Sequence, residues 1–509
     1  MAQFPDIQQH MRSLHFTIAK NAVANVIRGG ASAVVAIVLP HFLTRTLGPD
    51  RFAGWALMLQ LAAYANYLDF GVQTAVARYL AGALEKGDHQ QRDRLFSNAF
   101  AILIVAGIVA LCGLGMIAWQ LPHLFHSAPA LLAGEIGRGV LILGVAAAIN
   151  LPLSAYTGVL IGMQRNEFPA ISIAASRLLG AVAVILMAHF THSLAWLALC
   201  IAAFNLLGGL AQYAIVKKLL PALRFSFSFL DRAMTVELIR YCSTLSVWSF
   251  AMLLVSGLDV TIVGLFSFKA VGAYSIAATL IMFFTGLNSA AFSAMLAPVA
   301  ILQTRHEYSR IRKLLLVSTR LNSYFSIGAV MVTYLFGEEL IRAWVGPAYL
   351  ALTLPVLKIL LVAQAIRLVG SAYGAVLVAM GLQRYGLIPV AVEGLSNLIF
   401  SVLGMILIGP SGVAWATLIA ALFGLSIITF AIVPRIRELK ISNDIFLREG
   451  IIVPLLPFMP CFVWIFWHHW HGRVSQPRVL SNILIESLIL LLTIVLVSKE
   501  IAGVRRINS

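Results

Sequence analysis

The stretch Asn21–Arg78, NAVANVIRGGASAVVAIVLPHFLTRTLGPDRFAGWALMLQLAAYANYLDFGVQTAVAR, decides the fold. Two long apolar segments, roughly Ile18 to Leu47 and Phe52 to Leu80, flank the short turn Thr46-Leu47-Gly48-Pro49-Asp50-Arg51. Each is long enough to cross a bilayer, because about 20 apolar residues rising ~1.5 Å each span a ~30 Å hydrocarbon core. Each also carries charge that a lipid-facing helix avoids: Arg28 in the first, Asp69 and Arg78 in the second. Ionisable groups at that depth face a bundle interior or a watery cavity and mark a pathway. Asp69 and Arg78 lie on opposite sides of a straight helix, so they pair only if the helix breaks at Gly71.

Working outward, the 509 residues are 60% hydrophobic and 11% charged, with a mean hydropathy of +0.92. That composition belongs to a polytopic membrane protein. The polar first sixteen residues and the long first apolar stretch read as a retained span, without the small-residue site of a cleaved signal. Thirty-six Lys and Arg against 20 Asp and Glu give a net charge of +16. These charges sit in short loops between apolar segments, not on a basic soluble face, so nucleic acid is not the expected partner. Most of them, including Lys86, Arg92, Arg94, Lys217, Lys218, Arg305 to Lys313 and Arg435 to Lys440, fall on one side when loops are assigned alternately. The positive-inside rule then places both termini in the cytoplasm. The four cysteines lie in apolar segments without metal-ligand spacing and read as small buried hydrophobes.

Further spans follow, giving about fourteen in total. A basic linker divides the chain into residues 1–219, a six-helix bundle; 220–240, the linker; and 241–434, a second six-helix bundle. A second basic linker, 435–449, leads to 450–509, two additional transmembrane helices with a cytoplasmic tail. The halves repeat. Gln164-Arg165 recurs as Gln383-Arg384 and Ala195-Trp196 as Ala414-Trp415, both 219 positions later. Ser154-Ala155-Tyr156 recurs as Ser371-Ala372-Tyr373 after 217. An even number of spans per half makes the repeats parallel, with a cavity between two bundles that rock against each other. The expected fold is therefore all-α and polytopic: two parallel six-helix repeats around a central cavity, plus two C-terminal helices.

Charges inside the spans are the site candidates. A charge at the bilayer centre costs at least ~2.5–3.5 kcal/mol, so a group of them needs water, partners or a charged ligand. Arg28, Asp69, Asp259, Arg367 and Glu393 are the positions hardest to assign to the membrane edge, while Arg78, Arg320 and Lys358 lie near enough to an end to reach it. The alternative reading is structural ion pairs inside one bundle. At the repeat interval, Arg28 and Asp69 correspond to Val247 and Asn288, and Arg367 to Asn150, so the charge is not part of the duplicated scaffold. The run Trp467-His468-His469-Trp470-His471 fits an aromatic membrane-edge belt better than a metal site. No P-loop, GxSxG or metalloprotease motif occurs, so the chain offers no ATP site or hydrolytic machinery and no cofactor is expected.

Leu39-Pro40, Leu47-Gly48, Gly54-Trp55, Leu68-Asp69-Phe70-Gly71, Ala77-Arg78-Tyr79 and the loop Glu85-Lys86-Gly87-Asp88 before Arg94 together give the sequence a family likeness. It resembles the polysaccharide flippases of the multidrug/oligosaccharidyl-lipid/polysaccharide exporter superfamily, the O-antigen flippase type of bacterial inner membranes. The resemblance implies a transporter, not an enzyme. It would move an undecaprenyl-pyrophosphate-linked oligosaccharide, a unit of O-antigen, capsule or exopolysaccharide, from the cytoplasmic to the periplasmic leaflet by alternating access. Its partners would be that substrate, inner-membrane lipids, and the glycan polymerase and glycosyltransferases of the same pathway. Arg suits phosphate through its forked donors, which makes Arg28 the leading substrate contact, with Arg367, Arg177, Arg78 and Asp69 behind it. Asp69, Asp259 and Glu393 would orient these cations or carry a coupling ion. Two rivals remain: a multidrug/cation antiporter of the same superfamily, which would want an acid-rich aromatic cavity, and a glycan polymerase or ligase, which would want a large outer loop.

Overall fold

The computed structural model describes residues 28–471 and 480–506, and every regular element among them is helical. Twelve of these helices are long and apolar enough to cross a membrane, beginning with α1, Arg28–Leu47, and a shorter apolar helix covers Ile485–Ser498. That shorter helix and the second span account for the difference from fourteen. The second span is interrupted: α2, Pro49–Ala63, passes into a 3₁₀ turn, Tyr64–Asp69, before α3 resumes at Val72–Glu85. Phe70 and Gly71 both adopt left-handed φ, 50° and 75°, which no continuous right-handed helix accommodates. Gly71 takes that conformation without a Cβ penalty. The break at Gly71 on which a pairing of Asp69 with Arg78 would depend is present, and it begins seven residues earlier, at Tyr64.

The chain divides into two compact units, Met1–Leu253 with Gly257–Ser275, and Leu254–Ser256 with Ile276–Ser509. In the first unit, α4 (His89–Leu124) and α5 (Ala130–Gly162) pack on α3, and α6 (Glu167–Phe190) and α7 (Leu194–Leu219) pack on α5 and on each other. Two later helices, α8 (Arg232–Met252) and α9 (Asp259–Phe266), also pack on this unit, against α3, α4 and α2. A π-helical segment at Leu253–Gly257 separates them. The core is Val76, Leu80, Phe96, Leu103, Tyr156 and Val159 with their neighbours. Two glycines let α3 press on α5. A Cβ at Gly158 would stand 2.7 Å from the Gln73 carbonyl oxygen, and one at Gly162 would stand 2.9 Å from that of Ala77. This small-xxx-small spacing is how membrane helices approach closely without an aqueous hydrophobic drive.

The second unit contains α10 (Phe268–Thr304) from Ile276 onward, α11 (Tyr308–Trp344), α12 (Leu350–Ala379), α13 (Gln383–Ile408) and α14 (Pro410–Ile427). Short helices α15 (Asn443–Leu447) and α16 (Val453–Leu455) then lead to α17 (Met459–His471) and α18 (Leu480–Arg506). Its core includes Ile311, Leu315, Tyr373, Val376 and Val433.

Turn geometry exposes the repeat more sharply than residue identity does. Lys86, Gly87 and Asp88 donate their amides to the carbonyls of Gly82, Leu84 and Ala83; Arg305, His306 and Glu307 make the same three bonds to Ile301, Gln303 and Leu302. Gly87 and His306 share left-handed φ of 65° and 58°. A second matched set joins Met163, Gln164 and Arg165 to Val159, Ile161 and Leu160, and Met380, Gly381 and Leu382 to Val376, Val378 and Leu377. There Gln164 takes the place of Gly381 in the bonding pattern, the two left-handed at 59° and 73°. The sequence match of Gln164-Arg165 with Gln383-Arg384 is thus two residues out of register, and the 217-residue interval of the Ser-Ala-Tyr pair governs this region. One feature is not duplicated: α10 runs unbroken through the positions equivalent to Tyr64–Gly71.

Candidate functional site

The broken second span gathers polar groups that a straight helix would scatter. Ser154 of α5 donates to the Asp69 carboxylate at 3.3 Å, and the backbone amides of Gly71 and Gln73 face the same group. A carboxylate beyond the start of a helix is favoured by the free amides and the dipole there. Just before the break, Gln60 donates to the Gly257 carbonyl at 2.6 Å and the Tyr64 hydroxyl donates to it at 3.1 Å. Tyr64 also meets the Thr261 hydroxyl. The α8–α9 junction is therefore tied to the end of α2 by polar contacts within the first unit. Arg78 does not turn toward Asp69. Its guanidinium lies 5.2 Å from the Tyr241 ring centroid, a cation–π contact.

Arg28 and Arg177 come together. Arg177 donates to the Ser32 hydroxyl, which in turn donates to the Arg28 carbonyl at 2.9 Å. The two guanidinium charges are close enough to repel each other. Among the described residues neither is ion-paired with a carboxylate. Ser32 stands four residues after Arg28, the spacing of a hydroxyl bonded to a helix carbonyl, while the approach of Arg177 spans 145 positions and left no signal in the sequence.

Arg367 has different company. Its Nε lies 2.6 Å from Glu393 Oε1, and Nη1 donates to Gln364 at 3.0 Å. Nη2 is buried with no hydrogen-bond partner among the described residues. Glu393 is itself buried and lies against Gly424, where a Cβ would stand 2.7 Å from Oε2. This is the ion-pair arrangement within one unit that the sequence left open as the alternative for these two positions. Asp259 is buried at the start of α9 in the first unit. Arg320, expected to reach the membrane edge, is instead ion-paired with Glu449, and Lys358 lies 4.7 Å over the Tyr334 ring.

Sequence reasoning passed over Gln60, Tyr64 and Gln364. Each stands three or four residues from a charge or another polar group on the same helix, and that spacing was the available signal. The second unit also holds an apolar cavity of about 220 Å³ beside α11 and α12, lined by Val330, Met331, Ile366, Val369, Leu455 and Phe462 among others. No cluster of potential metal ligands occurs among the described residues. His468, His469 and His471 lie outside the described side chains.

A family model described as polysaccharide biosynthesis protein matches residues 18–300, more than half of the sequence. A Shigella flexneri protein named for O-antigen transport is 29% identical over 89 residues, which covers 18% of this chain and 21% of that protein. Among solved structures, the lipid II flippase MurJ in an inward closed conformation superposes with a TM-score of 0.72 at 13% identity, covering 94% of this chain and 100% of that one. A multidrug resistance MATE family transporter of the MOP superfamily, inward-facing, gives 0.62 at 15% identity over 81% of this chain and 98% of that one. At these identities the structural likeness establishes the fold.

Proposed function

Since the chain belongs to the polysaccharide biosynthesis protein family, we propose that it is a flippase carrying an undecaprenyl-pyrophosphate-linked oligosaccharide from the cytoplasmic to the periplasmic leaflet by alternating access. A pyrophosphate and a hydrated glycan do not cross hydrocarbon unaided, because removing their water without replacement costs many kcal/mol. The observation that carries this reading is the meeting of Arg28 and Arg177 around Ser32, with no carboxylate paired to either among the described residues. Two adjacent guanidinium groups inside membrane helices call for an anion, and a pyrophosphate supplies oxygens for both forks. The apolar cavity beside α11 and α12 suits the hydrocarbon chain of such a lipid. Without an ATP motif, the drive comes from the membrane potential, an ion gradient or downstream consumption of the product. Moving one negative charge outward gains ~2.3 kcal/mol per 100 mV.

The test is surface glycan in cells that depend on this protein. Arg28→Ala and Arg177→Ala lower glycan export about tenfold or more, the loss of one charged hydrogen bond, while the protein stays in the membrane at normal abundance. Export at the parental level in Arg28→Ala removes the leading contact from the mechanism.

One observation favours the antiporter reading. Among the described residues, Asp69 has hydrogen-bond donors but no cationic partner, as a carboxylate receiving a cation would. Under that reading Asp69→Asn abolishes efflux of a cationic dye and leaves surface glycan intact; under the flippase reading dye efflux is absent from the outset.

A further inference from the structure

The turns at Gly87 and His306 are the same element in the two repeats, yet different things happen beside them. In the first unit, Arg92 is buried, with its Nε 2.7 Å from Asp93 and Nη2 donating to the Ala222 carbonyl at 3.0 Å. Asn98 donates to the Phe229 carbonyl and accepts from the Asp231 amide, each at 3.0 Å. The linker thus lies across the start of α4, closed by an internally neutral ion pair.

At the same repeat interval, Arg92 and Asp93 become Ile311 and Arg312. Ile311 is buried in the apolar core, so the pair is gone. Arg312 stands where the first unit has the carboxylate, half-buried, with no ion pair among the described residues. The second linker does not close over it. A cavity of about 570 Å³ opens here between the start of α11 and residues 438–440, lined by His306, Tyr308, Arg312, Lys313, Glu438 and Lys440. Three permanent cations face one carboxylate. Leu316 and Leu439 add an apolar wall, so the cavity is amphipathic.

We infer that this cavity binds the phosphate headgroup of an anionic phospholipid from the leaflet on the Lys/Arg-rich side. The first unit is internally neutral here through Arg92 and Asp93, whereas the second carries a cation, Arg312, at the position of that carboxylate, and its net positive charge calls for an anion. Basic pockets between membrane helices on that side select anionic headgroups, with each Lys or Arg near the surface worth about fivefold in binding. A soluble phosphate satisfies the cations and leaves Leu316 and Leu439 without a partner, whereas a phospholipid satisfies both.

The experiment uses the purified full-length protein in detergent with dioleoylphosphatidylglycerol as the probe and dioleoylphosphatidylcholine as the neutral control, bound lipid being counted by native mass spectrometry. The protein prefers the anionic lipid, and Arg312→Gln with Lys440→Gln lowers that preference about tenfold or more. Arg310→Gln, on the same turn but paired with Glu307 and outside the cavity, retains it. An unchanged preference in the double variant overturns the inference, as does an equal loss in Arg310→Gln. Displacement of the lipid by millimolar inorganic phosphate overturns it too, because the site would then take a soluble anion. Where the double variant fails to fold, Lys440→Glu at an exposed linker position gives the same reading.

Discussion

Arg367 is held by Glu393 at 2.6 Å and by Gln364 at 3.0 Å, whereas Arg177 reaches only the Ser32 hydroxyl and faces the like charge of Arg28. The same side chain therefore occupies two electrostatic situations, and mutation separates them. Glu393→Ala leaves a buried guanidinium uncompensated and costs about 3–5 kcal/mol, read as a lower melting temperature in detergent. Replacing Arg367 and Glu393 together by Leu restores most of that stability, since two apolar groups of similar volume need no partner. If the double variant is stable but exports no glycan, the pair serves transport as well as stability. The sequence revealed that residues 28, 69, 367 and 393 carry charge in membrane segments, because charge is visible one residue at a time. Which cation takes which carboxylate was not visible: Arg367 and Glu393 are 26 positions apart on different helices. Their pairing depends on the packing of α12 against α13.

At the level of elements, hydropathy located the spans because bilayer thickness fixes their length. The break in the second span was legible only as a weak point, since Gly71 permits a left-handed turn without requiring one. The π segment at Leu253–Gly257 had no signature beyond a glycine. The two-residue slip between Gln164 and Gly381 escaped because sequence matching follows identical letters, while the fold aligns hydrogen-bonded turns. The α3–α5 contact makes its own prediction. Gly158→Val forces side-chain atoms toward the Gln73 carbonyl and Val76, costing about 1–3 kcal/mol and pushing α3 away from Ser154. Stability in detergent and surface glycan fall together, and a variant with parental stability contradicts the contact.

At the scale of the whole molecule, the parallel repeat dictates sidedness. Gln90 and Thr304 flank the equivalent turns at Gly87 and His306, and His126 lies two residues past the far end of α4. In a background lacking the four native cysteines, a cysteine at 90 and one at 304 react with a membrane-impermeant maleimide from the same side, and a cysteine at 126 reacts from the opposite side. Labelling of 90 and 304 from opposite sides would make the repeats inverted.

The unbroken α10 and the interrupted α2–α3 pair are the same strut built twice, once stiff and once jointed. Mechanical compliance is thereby concentrated near residues 64–71, where 3₁₀ and left-handed backbone replaces the regular ladder. Deuterium enters those amides faster than residues 283–290 by a factor set by the missing ladder bonds. A strut jointed at one place yields there first, so a load shared by the two struts is taken up near residues 64–71 before α10 bends.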